Sequence, residues 1–353
     1  MTPDTSPEIR ISGRKIGTAH SPYIICELSG NHNGSLDRAL ALVDAAADTG
    51  CDAIKLQTYT ADTITLKSDR PEFQLKGGLW DGYSLYDLYE EAHTPWDWHP
   101  ALFERAAQRG VTMFSSPFDD TAVDFLNDLG APAFKIASFE LIDLPLVAYA
   151  ASKGKPLIMS TGMANLAEIE AAVATARQYG TGEIVLLHCV SEYPADIRDA
   201  NVRVVPDLGA KFGCPSGLSD HTFGTAASVA AIAVGGCVIE KHFTLARADG
   251  GPDSGFSLEP AEFTALVKDC KDAWAALGHV HYDTLGSERG SKTFRRSLYV
   301  VEDVKAGDVF TKANVRSVRP GLGLPPARLW DILGKPATRD IGRGEPLSDD
   351  MVG

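Results

Sequence analysis

Two histidines stand where this sequence can do chemistry. His221 lies in Gly217-Leu218-Ser219-Asp220-His221-Thr222, and His242 lies in Ile239-Glu240-Lys241-His242-Phe243. Short apolar runs over 213–218 and 236–239 lead into them and read as buried strands, with a helical pattern over 223–234 between. In a parallel α/β protein, consecutive strands end side by side at one edge of the sheet. Two imidazoles delivered there can share one metal ion. Two histidines, a carboxylate and open water positions suit Mn²⁺, Mg²⁺, Co²⁺ or Zn²⁺ acting as a Lewis acid. Glu27 or Asp253 is the candidate oxygen ligand or nearby base.

Lys55 and Lys135 sit inside apolar runs. A buried ammonium is costly unless it is paired. The two fall on the second and fourth expected strands, with one strand between, so they can clamp a single anion; alternatively, each pairs with Glu27 or Glu140. Ser116, Ser138, Ser160 and Ser219, at other strand ends, add neutral donors suited to a phosphate or carboxylate. Gln57, Glu140 and Tyr193 fall at the same edge. His188 precedes Cys189 and can face either side of its strand. His32 lies in Ser29-Gly30-Asn31-His32-Asn33-Gly34, a turn-like segment where a structural role is equally open.

The residues alone describe metal-assisted condensation or aldol-type chemistry on phosphorylated or carboxylated substrates. A class I aldolase with Lys135 or Lys241 as Schiff base is a competing reading. A non-catalytic barrel serving as scaffold for a glycan-binding module is another.

The positioning elements recur in a regular cycle. A small hairpin is expected near 9–16. Apolar runs of strand length follow at 23–28, 53–57, 111–114, 133–137, 156–159 and 184–189, ahead of the two histidine strands. Helical patterns alternate with them, one capped by Ser35 and one opening at Asn165 with Glu168 completing a capping box. Eight such cycles predict a (β/α)8 TIM barrel, whose strands are apolar because both faces are buried. A doubly wound open sheet is the runner-up, but no G-x-G-x-x-G turn follows the first strand. Two insertions fall on the functional edge: an aromatic one at 59–98, with Trp80, Tyr83, Tyr86, Tyr89, Trp96 and Trp98, and a Gly/Asp-rich one at 244–258. The aromatic segment suggests a sugar-sized or acylated second substrate. The expected organisation is a catalytic barrel with its hairpin over 1–278, a linker over 279–293, and a small satellite domain over 294–353.

Composition narrows the function classes. The 353 residues carry a formal net charge of −14, which argues against a nucleic-acid footprint. No apolar run reaches the length of a membrane span, and Met1 to Arg10 is polar, so a cytoplasmic location is expected. The six cysteines include no Cys-x-x-Cys pair and read as reduced core thiols.

At this level the chain resembles the N-acetylneuraminate (sialic acid) synthase family. The resemblance rests on Glu27 with Asn31-His32-Asn33-Gly34, Lys55-Leu56-Gln57, Ser115-Ser116-Pro117-Phe118, Lys135-Ile136-Ala137-Ser138-Phe139-Glu140 and Ser160-Thr161-Gly162-Met163. The two histidine motifs and Gly251-Pro252-Asp253 complete it. Ser84-Leu85-Tyr86-Asp87-Leu88-Tyr89, Thr94-Pro95-Trp96-Asp97-Trp98, Arg247-Ala248-Asp249-Gly250-Gly251 and Arg319-Pro320-Gly321-Leu322-Gly323-Leu324-Pro325-Pro326 look closest to its pseudaminic acid synthase branch. Ser191 and Ser116 depart from the asparagine and threonine of sialic acid synthases and favour a different acylated sugar. The final segment looks like the family's antifreeze-like (SAF) domain.

The resemblance implies condensation of phosphoenolpyruvate with 2,4-diacetamido-2,4,6-trideoxy-L-altrose, giving pseudaminic acid and phosphate; sialic or legionaminic acid synthesis is the alternative. It implies a divalent ion, Mn, Mg or Co, on His221 and His242. It places Lys55, Ser116, Lys135, Ser138, Ser160, Ser219 and Arg319 on phosphoenolpyruvate, and Gln57, Tyr193 and Asp253 on the sugar. Glu27 or Glu140 would stabilise a cationic centre or activate water. Arg319 would reach the barrel of a partner chain in a domain-swapped homodimer.

Overall fold

A computed structural model describes residues 7–353 of the chain; the part of the polar N-terminal expectation that falls on 1–6 lies outside the described residues. The chain divides into two compact units, Met1–Gly278 and His279–Gly353. The segment expected as a linker clusters with the second unit, where it forms exposed single turns at Gly286–Glu288 and Gly290–Phe294.

The first unit opens with an antiparallel hairpin, β1 (Ile9–Ile11) and β2 (Arg14–Ile16). Eight parallel strands then close into a barrel: β3 (Tyr23–Glu27), β4 (Ala53–Thr58), β5 (Thr112–Pro117), β6 (Phe134–Ile136), β7 (Leu157–Ser160), β8 (Ile184–Cys189), β9 (Ser216–Asp220) and β10 (Val238–His242). Strand β10 pairs with β3, so no edge is left open. This is the (β/α)8 barrel that the cycle of apolar runs predicts.

Alternation along each strand sorts its side chains. Ile24, Cys26, Ile54, Leu218 and Ile239 pack outward beneath the helices Leu36–Asp48, Ala226–Ala233 and Pro260–Leu277. Tyr23, Ile25, Ala53, Phe114, Ala133, Ile158, Val185, Leu187 and Val238 point inward and form a separate apolar cluster. Ile9, Ile11 and Ile16 of the hairpin join that cluster, so the hairpin closes the amino end of the barrel. Carrying the same alternation one step on places Glu27, Lys55, Ser116, Lys135, Ser160, Ser219 and Glu240 on the inner face, above the apolar plug.

The two histidine strands lie a few residues later than the apolar runs suggest. Gly213 is the left-handed cap of the helix Val204–Phe212, with φ +58° and its N–H on Gly209, rather than the start of a strand. β10 runs on through Glu240 and Lys241 to His242, because both charges find partners inside the fold. The helix between begins at Ala226, and Phe223 is left exposed.

The six cysteines are buried and free, as the composition suggests. Among the described residues no helix is long and apolar enough to cross a membrane. The second unit pairs β11 (Ser297–Val300) with β12 (Val315–Val318) around a small core of Leu298, Val300, Val304, Phe310, Val315, Ile332, Ile341 and Leu347.

Candidate active site

Strand alternation delivers a set of ionisable groups to the carboxyl mouth of the barrel. Glu27 ends β3 and its Oε2 lies 2.5 Å from Lys55 Nζ on the neighbouring strand β4. The other oxygen of Glu27 accepts from Gln57 Nε2 at 3.0 Å and from the Ser29 N–H at 3.1 Å. Lys55 Nζ also donates to Ser116 Oγ at 3.3 Å. Across the barrel, Glu240 Oε1 is 3.6 Å from Lys135 Nζ and 3.8 Å from Lys55 Nζ, and it accepts from Ser219 Oγ at 3.2 Å. All four charged residues are at most 4% exposed, so the ions depend on one another rather than on water.

This geometry revises the expected two-lysine clamp. The chain itself supplies Lys55 with a close carboxylate, whereas among the described residues Lys135 has Glu240 at 3.6 Å and the Ile136 carbonyl at 3.5 Å. Burial disfavours the Lys55 ammonium, but Glu240 and Glu27 outweigh it and raise its proton affinity. At Lys135 burial prevails and the proton affinity falls. Lys135 is therefore the under-compensated cation of the pair. Glu240 carried no assigned role in the sequence reading, although it lies two residues before His242. Its parity with His242 was the available signal.

Glu140 does not pair with a lysine. Its Oε2 is buried without a hydrogen-bond partner, and burial pushes its carboxyl up to about 7, with Lys135 opposing and Asp143 reinforcing the shift. Ser160 Oγ is likewise buried and unpartnered. Ser138 Oγ accepts from the Gly162 N–H at 3.1 Å. Buried polar atoms without partners are rare in native folds, and those lining a strand-end mouth mark where a polar ligand belongs.

The histidines converge. The rings of His221 and His242 lie 5.4 Å apart, centre to centre. Nδ1 of His221 is 2.9 Å from the Val190 carbonyl, which only accepts, so that nitrogen carries the proton and the Nε2 lone pair remains available. Nδ1 of His242 is 3.3 Å from Ser29 Oγ. Fixing one ring nitrogen so that the other can ligate is the usual arrangement around a metal-binding histidine. Burial, followed by His221 and the nearby lysines, holds His242 far below its ordinary value, in the neutral form a cation requires. At His221 burial is outweighed by the negative character of Cys189, whose Sγ lies 3.8 Å from Nδ1, and the proton affinity rises.

Among the described residues no group of three His, Cys, Asp or Glu side chains is arranged to hold a metal ion. The two converging rings, each with Nδ1 held by the chain, fit a cation bound by two imidazoles and completed by oxygen ligands. Asp253 lies on the loop after β10, and burial raises its carboxyl while Ser29 and Gly30 oppose the shift. Tyr193 packs 4.3 Å from His221, and Phe256 packs 4.9 Å from His242, enclosing the pair in aromatic surface.

Three residues fall away from the mouth. His188 faces the opposite side of β8 and bonds the Ala200 carbonyl at 2.9 Å. His32 accepts from the Gly34 N–H at 3.1 Å and meets the edge of Trp98, which makes it a loop support. Lys241 points outward, 2.9 Å from Asp220 and 2.6 Å from the Thr222 carbonyl. That placement removes it as a Schiff-base lysine.

The buried charge cluster generates one prediction. Glu240→Gln leaves Lys135 without a countercharge, and should destabilise the fold by about 3–5 kcal/mol. Urea denaturation of the two proteins measures it, and an unchanged midpoint would remove Glu240 from this role.

Comparison with known proteins finds relatives along most of the chain. Residues 42–282 match the NeuB family and residues 295–353 match the SAF domain. The chain is 44% identical over 327 residues to a pseudaminic acid synthase of Campylobacter jejuni, covering 93% of this chain and 95% of that protein. A pseudaminic acid synthase of Helicobacter pylori is 41% identical over 335 residues, covering 94% and 98%. Among solved structures, the N-acetylneuraminic acid synthetase of Leptospira borgpetersenii, in complex with citrate, superposes with a TM-score of 0.72 at 33% identity. It covers 81% of this chain and 95% of that one. A match over most of the barrel, together with relatives aligned along nearly their whole length, means that this chain belongs to the NeuB family.

Proposed function

We propose that this protein is a pseudaminic acid synthase, joining phosphoenolpyruvate to 2,4-diacetamido-2,4,6-trideoxy-L-altrose. The observation that carries the reading is a paired-imidazole site beside buried lysines in one barrel mouth. The identity to pseudaminic acid synthases over nearly the full chain supports the choice of sugar over the sialic or legionaminic alternatives.

The residues divide the work as follows. Lys135, Lys55, Ser116, Ser138, Ser160 and Ser219 hold the phosphate and carboxylate of phosphoenolpyruvate. Gln57, Tyr193 and Asp253 hold the open-chain sugar. His221 and His242 would hold a divalent cation such as Mn, Mg or Co. When bound, that ion supplies Lewis-acid polarisation of the aldehyde. Carbon 3 of phosphoenolpyruvate forms the new bond to the aldehyde carbon. Water adds to the cationic carbon 2, and phosphate leaves as the C–O bond breaks.

Of the two candidate glutamates, Glu27 is committed to Lys55, Gln57 and the Ser29 N–H. Glu140, with a free oxygen and a proton affinity near neutrality, is suited to take the proton of the attacking water. Arg319, exposed on the second unit, would contact phosphoenolpyruvate in the barrel of a partner chain, making the enzyme a homodimer with shared sites.

Mass spectrometry of the products from a panel of amino sugars, with phosphate release in parallel, tests the reaction. Pseudaminic acid formed only with the diacetamido sugar, and lost on chelation, is expected; borohydride trapping of a lysine adduct would instead favour an aldolase. Glu140→Gln should lower kcat about 10²–10⁴-fold. A base titrating at about 7 is active when deprotonated, so wild-type activity should fall as pH drops through that value. The variant should lose this acid limb, which a pH–rate profile measures. Arg319→Ala should raise KM for phosphoenolpyruvate with little change in melting temperature, and steady-state kinetics with calorimetry checks both.

A further inference from the structure

The two insertions over the barrel mouth are joined by one side chain that no role yet covers. Trp80, from the aromatic segment after β4, donates its indole N–H to the Pro252 carbonyl at 2.9 Å. Pro252 directly precedes Asp253 on the loop that follows β10 and also carries Phe256. The Trp80 ring lies 5.8 Å from Tyr193, and Tyr193 in turn lies 4.3 Å from His221 and 5.2 Å from Phe256. Trp80 is only partly buried, so part of its ring remains available to a ligand. Its one polar atom is already satisfied, which leaves an apolar face.

We infer that Trp80 is a specificity-determining residue of the sugar site, whose indole face recognises the apolar substituents of the acceptor. This rests on the synthase reading above. An aldehyde oxygen placed at the histidine pair leaves the rest of the sugar chain to extend along Tyr193 towards Trp80. The far end of the proposed acceptor carries an acetamido methyl and a deoxy methyl instead of hydroxyls. Aromatic surface is favourable for such groups. It offers no hydrogen bond to a hydroxylated tail, which would lose its water there without compensation. The Trp80–Pro252 bond fixes the ring relative to the loop that bears Asp253, so the polar and apolar contacts to the sugar are set by one geometry.

The experiment compares wild type, Trp80→Phe and Trp80→Ala with phosphoenolpyruvate and two acceptors. One is the 6-deoxy diacetamido sugar, and the other is a 2-acetamido hexose with hydroxyls at carbons 4 and 6. Trp80→Ala should raise KM for the deoxy sugar roughly tenfold and narrow the preference between acceptors. KM for phosphoenolpyruvate should stay within about twofold, since that subsite lies at the lysines. Trp80→Phe, which keeps a ring without the indole N–H, should fall between. An equal rise in both KM values, or an unchanged acceptor preference, would mean that Trp80 only supports its loop and overturns the inference.

Titration of the deoxy sugar followed by tryptophan fluorescence separates the two levels of the argument. If wild type releases no phosphate with either sugar, the synthase reading fails. A fluorescence change that disappears in Trp80→Phe would then still sustain the recognition role. No change in wild type would overturn it.

Discussion

The arrangement depends on a buried exchange of charge at the barrel mouth. Glu27, Lys55, Glu240 and Lys135 arise from three adjacent strands and one across the ring, and all four are buried. Isolated, each ion would carry a large desolvation cost. Together they are held by opposing charges and by Ser116, Ser219 and Gln57. Below them the barrel is filled with apolar side chains, which fixes the depth at which polar chemistry can begin.

The cluster also explains how a chain with a strongly negative net charge can receive an anionic substrate. Charge in the mouth is local and largely internally balanced. The imbalance lies at Lys135, whose one carboxylate contact among the described residues is the longer one to Glu240, and which therefore has capacity for a ligand anion. Nearby, Ser160 and Glu140 present buried oxygens with no partner among the described residues. The histidine pair adds two imidazoles one layer further out, beneath aromatic surface. Two converging imidazoles, an under-compensated ammonium and an aromatic wall are thus built from strand ends and two insertions.

Much of the fold was legible because a parallel barrel repeats one local pattern. The apolar runs at 184–189 and 53–57 correspond closely to β8 and β4. The errors cluster where a glycine or a charge was read as ordinary. Gly213 looked like a strand residue but terminates a helix, and Glu240 and Lys241 looked like strand terminators but lie inside β10. The resemblance to a known family was carried by ordered motifs, and the matching of 42–282 and 295–353 agrees with it.

The sequence by itself determined the order of the strands and roughly where each ends, since these follow from apolar runs and the helical patterns between them. It could not decide which face of a strand is the lumen, because barrel strands are apolar on both sides and their alternation is silent about inside and outside. Only the closed barrel placed Glu240 inward between two lysines, turned Lys241 outward onto Asp220, and took His188 out of the mouth. Only the tertiary structure brought Trp80 onto Pro252, a contact across 172 positions of chain that no local pattern encodes.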